Sequence, residues 1–123
     1  MSYYHKELAS GRWQTLTLAE QMANIGSEVH RAINRFKKKE KDSFQNAFER
    51  ALELFDLTLN DSRWKGRRKE IARSREVFCT LLLDSGAFNN LEYELDSLNN
   101  YFFQFGIYAS LHKERNKQRG YSS

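Results

Sequence analysis

The stretch RWKGRRKEIARSR, residues 63–75, sets seven cations, Arg63, Lys65, Arg67, Arg68, Lys69, Arg73 and Arg75, against one acid, Glu70. Phosphate recognition is the chemistry that such a set performs. Several cations on one surface displace the counterions condensed on a polyanion, and arginine adds paired donors matched to phosphate oxygens. Exposed rings nearby would extend this to single strands, whose bases stack on them, and Trp64, Trp13 or a neighbouring tyrosine is the candidate platform. Arg63, Lys65, Arg67, Arg68, Lys69 and Arg73 are therefore candidate nucleic-acid contacts, joined by Arg115, Lys117 and Arg119 of the C-terminal tail. Contact with an acidic protein and plain solvation are the competing readings. The net charge of +4 favours an anionic partner only weakly. Projected on a helix anchored at Ile71, Arg67 and Arg75 flank the apolar stripe, so both are expected half-buried and paired with a carboxylate such as Glu53 or Asp56.

Catalytic constellations are not found. The three histidines, His5, His30 and His112, form neither HExxH nor ExxH, so the zinc-protease helix and the di-iron bundle motif are missing. There is no GxSxG elbow, GxxxxGK[ST] loop or GxGxxG turn. Cys79 sits within VFCTLLL, where a buried, inert thiol is expected. His112, at the position ending the last helix, is expected to be a capping or core-edge histidine rather than a general base. Carboxylates spaced i,i+4, Glu49 with Glu53 and Glu92 with Asp96, suit a solvated helix face. The expectation is a protein that is not an enzyme and uses no cofactor or metal. With a single cysteine and no secretion-signal pattern, a cytoplasmic location is expected. The richest apolar run, YFFQFGIYASL at 101–111, is broken by Gln104 and Gly106 and falls short of the roughly 18–20 residues of a membrane span.

The elements that must position the cations are helices. At 123 residues the chain is expected to form one domain with a single core, covering 1–123. Proline is absent where average usage predicts about six. The first helix opens on the capping-box pattern Thr17-Leu-Ala-Glu20 and runs over about 17–37, with Leu18, Met22, Ile25, Val29, Ile33 and Phe36 on one face. A solvated corner at Lys37–Lys41 precedes a second helix from Asp42 to about residue 59, whose stripe is Phe44, Ala47, Phe48, Ala51, Leu52, Phe55 and Leu59. The third starts at 63 or 67, depending on Gly66, and reaches 84 through Ile71, Phe78, Leu81 and Leu82. The fourth repeats Leu91, Leu95, Leu98, Phe102, Phe105 and Ala109, and the tail is expected to fray from about Lys113. The aromatic flank at 2–14 is expected to pack.

Short connections favour antiparallel neighbours, hence an all-α, up-down-up-down four-helix bundle. That topology gathers the starts of the first and third helices and the ends of the second and fourth at one basic pole. Small residues on the first helix (Ala19, Ala23, Gly26, Ser27) and on the fourth (Gly106, Ala109, Ser110) predict direct packing between these two. The aromatic surface of the fourth helix, with Tyr101, Phe103 and Tyr108, predicts a homo-oligomer. One conflict stands out: cations in a helix's first turn oppose its dipole by a few tenths of a kcal/mol each, roughly.

In length, helix count, charge and the run KEIARSREVFCTLLL, where arginines precede an apolar stretch, the chain resembles small basic prokaryotic four-helix bundles. These are typified by the 23S rRNA intervening-sequence proteins and the accessory variability determinant of diversity-generating retroelements. The resemblance implies a non-catalytic accessory protein, often a ring-like homo-oligomer, that presents basic surfaces to RNA or DNA. It also implies a protein partner such as a polymerase or another nucleoprotein subunit.

Overall fold

The computed structural model describes residues 11–121, with side chains through His112. Among the described residues four α-helices follow one another: α1 (Leu18–Lys37), α2 (Lys41–Leu59), α3 (Arg68–Leu83) and α4 (Leu91–Tyr121). Short 3₁₀ turns precede α1 (Arg12–Thr15), join α2 to α3 (Ser62–Arg67) and lead toward α4 (Ser85–Ala87). No described helix is long and apolar enough to cross a membrane.

The start of α1 follows from its capping box. Thr17 Oγ1 accepts the Glu20 N–H at 3.1 Å, and Glu20 Oε1 accepts the Thr17 N–H at 3.0 Å, so two otherwise orphaned donors are satisfied. Its end is a Schellman turn. The Lys39 N–H reaches the Phe36 carbonyl, and the Glu40 N–H reaches that of Arg35, both at 3.1 Å. Lys39 occupies the left-handed position of this turn, with φ at 60°. The chain is thereby folded back at once into α2, one residue earlier than the expected start at Asp42.

Contacts along the helices establish the antiparallel order. Phe36 near the end of α1 packs on Phe44 near the start of α2, with ring centroids 5.8 Å apart. Arg75 of α3 faces Asp56 of α2 at 3.2 Å, and Arg68 at the start of α3 donates to the Leu59 carbonyl at the end of α2. Lys37 at the end of α1 pairs with Glu92 at the start of α4, at 2.9 Å. The chain is an up-down-up-down bundle.

Two kinds of residue set the helix spacing. Between α1 and α4 it is Gly26 that allows close approach, so close that a Cβ there would lie 2.6 Å from Phe102 Cβ, whereas Gly106 and Ser110 of α4 do not join this contact: a Cβ at Gly106 would meet nothing within 4 Å, and Ser110 is exposed. Between α2 and α3 large rings intervene: Phe78 stacks on Phe48 at 5.1 Å and tilts against Phe55 at 5.8 Å. Trp13, Ile25, Val29, Phe55, Phe78 and Leu81 are fully buried at the centre.

Some expectations need revision. On α2 the buried set includes Leu54 and Thr58, whereas Leu52 is half-buried. A helix wedged between two neighbours buries a wider arc than a single stripe. The fourth helix does not end at His112; its backbone is helical through Tyr121, in place of a frayed tail from Lys113. Within the N-terminal flank, Trp13 packs as expected, while residues 2–10 lie outside the described residues.

Candidate nucleic-acid interface

The link between α2 and α3 is organised by a buried carboxylate. Asp61 is 3% exposed and opens the 3₁₀ turn by accepting the Arg63 N–H. The Arg63 guanidinium grips it in a fork, Nε to Oδ1 at 3.0 Å and Nη2 to Oδ2 at 2.7 Å, and Nη2 also donates to the Leu16 carbonyl at 2.7 Å. Gln21 completes the cluster. Its Nε2 donates to Asp61 Oδ2 and to the Trp13 carbonyl, and its Oε1 accepts the Trp64 indole N–H at 2.9 Å. The Trp13 indole in turn donates to Thr58 Oγ1. The Arg63 fork, aided by Gln21 and the backbone and opposed by burial, lowers the Asp61 pKa to about 2.

Sequence reasoning placed Arg63 among the nucleic-acid contacts; in the fold its donors are directed inward and its guanidinium covers the Trp64 ring at 4.4 Å. Arg68 is similarly tied, donating from Nε to the Leu59 carbonyl at 3.1 Å. Arg67 departs from expectation. It is exposed, and pairs with Glu70 at 2.9 Å rather than with Glu53 or Asp56, because the α-helix begins only at Arg68 and the preceding turn swings Arg67 away from α2. Tyr101 of α4 donates to the other Glu70 oxygen at 2.9 Å, and its pKa is raised by burial and by this carboxylate. Arg75 is half-buried against Asp56, as anticipated; its N–H is not aimed at the carboxylate, so the contact is an ion pair without a hydrogen bond.

Lys65, Lys69 and Arg73 remain. All three are exposed and make no ion pair with a described residue, and Lys69 and Arg73 stand one turn apart on the outer face of α3. The cluster therefore separates into structural arginines and solvent-facing cations. Arg115, Lys117 and Arg119 lie on the helical backbone of α4, and their side chains lie outside the described residues.

Beside Arg67 an open groove of about 860 Å³ runs between the start of α1, the 3₁₀ turn and the end of α4. Trp64, Arg67, Phe105, Tyr108 and His112 line it, with Glu20 at the α1 rim. Tyr108 and His112 stack with rings 6.0 Å apart and nearly parallel at 7°. His112 is thus an exposed groove residue and not a core-edge terminus. Trp13 is fully enclosed and can offer no platform.

Among the described residues, no three His, Cys, Asp or Glu side chains come together to hold a metal ion. Cys79 is half-buried, and burial raises its pKa, which disfavours the thiolate. The Gln21–Asp61 pair escaped the sequence reading. Its only local signal was an aspartate two residues before Arg63, at a break between helices. No protein-family model matches the chain, and the comparisons with curated proteins and with solved structures return no match.

Proposed function

We propose that the protein is a non-catalytic accessory protein that binds RNA or DNA at its basic pole, within a nucleoprotein complex in the cytoplasm. The observation that carries this reading is the position of Lys65, Lys69 and Arg73. Lys65 adjoins Trp64 in the turn that lines the groove, and Lys69 and Arg73 follow on the outer face of α3, while within the groove the exposed Tyr108 and the half-buried Trp64 present their rings. Cations track a phosphate backbone, and rings accept bases without regard to sequence. A groove of this kind suits single strands better than duplex, whose bases are already stacked.

The test is binding of labelled single-stranded and duplex oligonucleotides, followed by fluorescence anisotropy across a salt series. Affinity should fall steeply with salt, and replacing Lys65, Lys69 and Arg73 together by Ala should reduce the log–log slope by about 2, at roughly 0.7 per single-strand phosphate contact. The absence of binding at low salt, or a slope unchanged in the triple variant, refutes the reading.

A second reading, a protein-interaction or scaffold subunit whose cations meet an acidic partner, is favoured by a different observation. On α4, Phe103, Ile107, Tyr108 and Leu111 are exposed together. Under that reading, affinity for nucleic acid is absent, while an acidic protein binds at the same pole.

A further inference from the structure

Seven large apolar side chains are exposed among the described residues, and four of them fall within 103–111 on α4. Phe103, Ile107 and Leu111 are 67%, 48% and 55% exposed. Spaced four apart, they form a stripe on the side of α4 opposite Leu98 and Phe102, which face the core. Phe103 also borders a groove of about 820 Å³ floored by Ala23, Ser27 and Gly106, so the surface beside the stripe is low and open. An apolar surface of this shape is rarely left uncovered.

What covers it is indicated by charge. The start of α4 carries Glu92, Glu94 and Asp96, an acidic surplus even after Lys37 of α1 pairs with Glu92 and Asp96, whereas its last turns carry Lys113, Arg115, Lys117 and Arg119 against Glu114 alone. The helix has 31 residues, about 46 Å at 1.5 Å per residue, against 20 residues in α1. A long helix that is acidic at one end, basic at the other and apolar in between is complementary to its own reversed copy.

We propose that α4 pairs antiparallel with α4 of a second copy of this chain, about a two-fold axis at Ile107. Ile107 then meets its own counterpart, Phe103 of each copy meets Leu111 of the other, and the basic last turns lie beside 93–101 of the other copy. The contact is isologous and closes as a dimer. A parallel pair would set acid beside acid, base beside base and the helix dipoles side by side in the same sense, all of them repulsive. The pairing rests on the stripe and the charge order of α4, independently of nucleic-acid binding, so either proposal can fail alone.

Sedimentation equilibrium over a wide concentration range reads the state, and cysteine crosslinking reads the register. The intact protein should sediment at twice the monomer mass, and Ile107→Asp should return it to monomer with an unchanged far-UV circular dichroism spectrum. In a Cys79→Ser background, Ile107→Cys should oxidise to a covalent dimer. Asn100→Cys should not crosslink to itself but should crosslink to a copy carrying Glu114→Cys. A monomer at all concentrations, a larger ring, or efficient self-crosslinking of Asn100→Cys would overturn the proposal. A dimer that persists in both Ile107→Asp and Phe103→Ser would overturn it equally.

Discussion

Asp61 shows why a basic stretch cannot be read as one uniform surface. Its carboxylate holds Arg63 in a bidentate fork and receives Gln21, so the first arginine of the cluster belongs to the fold. The folded-state pKa is depressed from 3.8 to about 2, and a depressed carboxylate contributes stability that is fully present above its unfolded pKa. That contribution, about 2 kcal/mol, is lost as pH falls from about 4 toward 2. Urea unfolding measured across this window should show the loss, and Asp61→Asn should flatten this part of the pH profile. Asp61→Ala should cost more, about 3 kcal/mol at neutral pH, because Arg63 loses its ion-pair partner and the buried Gln21 amide loses one of its two acceptors. Equal pH profiles for Asp61→Asn and the parent would show that another group governs the acid limb. Little of this was legible in the sequence. Helical periodicity reports which faces are apolar, but Gln21 and Asp61 are forty residues apart, and nothing local marks a buried amide and a buried carboxylate as partners. Arg75 was legible, since its position beside the stripe and the nearest carboxylate on α2 are both set by helix geometry.

At the scale of the helices, the starts and faces were readable wherever a local rule governs them. The Thr17–Glu20 capping box marks α1 without ambiguity, and Gly26 foretold the close contact of α1 with α4, although the α4 residue it meets is Phe102 and not the small Gly106. Less visible was how α3 tolerates cations at its start. Arg68 opposes the dipole of its own helix, yet it donates to the last carbonyl of α2, where the adjacent antiparallel helix presents its negative end. A conflict within one element is thus resolved by its neighbour. Two substitutions test the helix geometry in opposite directions. Lys39 occupies the left-handed position of the α1 Schellman turn, which glycine fills without steric cost, so Lys39→Gly should stabilise the protein by about 0.5–1 kcal/mol. Gly26→Ala should do the reverse despite the gain in helix propensity, about 1 kcal/mol, that alanine brings. The added Cβ would meet Phe102 at 2.6 Å, forcing α1 from α4, and overpacking of this kind costs about 1–3 kcal/mol. Thermal melts of both variants decide the matter: a Gly26→Ala protein more stable than the parent would mean that α1 and α4 separate freely.

Across the whole molecule, one chain of rings joins the four helices. Phe36 of α1 leads to Phe44 and Phe48 of α2, then to Phe78 of α3, back to Phe55 of α2 and on to Phe102, Tyr101 and Phe105 of α4, each centroid within 6 Å of the next. Phe78 is the single contribution of α3 to this chain, and α3 otherwise holds to the core through Ile71, Leu81 and Leu82. Such an arrangement makes α3 the helix most dependent on one side chain, and it is also the helix that presents Lys69 and Arg73 to solvent. Phe78→Ala removes a fully buried ring between Phe48 and Phe55 and should cost about 3–5 kcal/mol, a large share of the 5–15 kcal/mol typical of a domain. The loss should also be uneven. Amides of α3 should gain hydrogen exchange more than those of α1, whose contacts with α2 and α4 the substitution leaves in place. The two tryptophans report the same difference, because Trp13 is buried among α1 and α2 while Trp64 sits in the turn that leads into α3. In a Trp64→Phe background the Trp13 emission should change late in denaturant, and in the parent the Trp64 contribution should change early once Phe78 is removed. Uniform exchange across all four helices would instead show that the bundle opens as one cooperative unit, with the basic face of α3 held as rigidly as the core behind it.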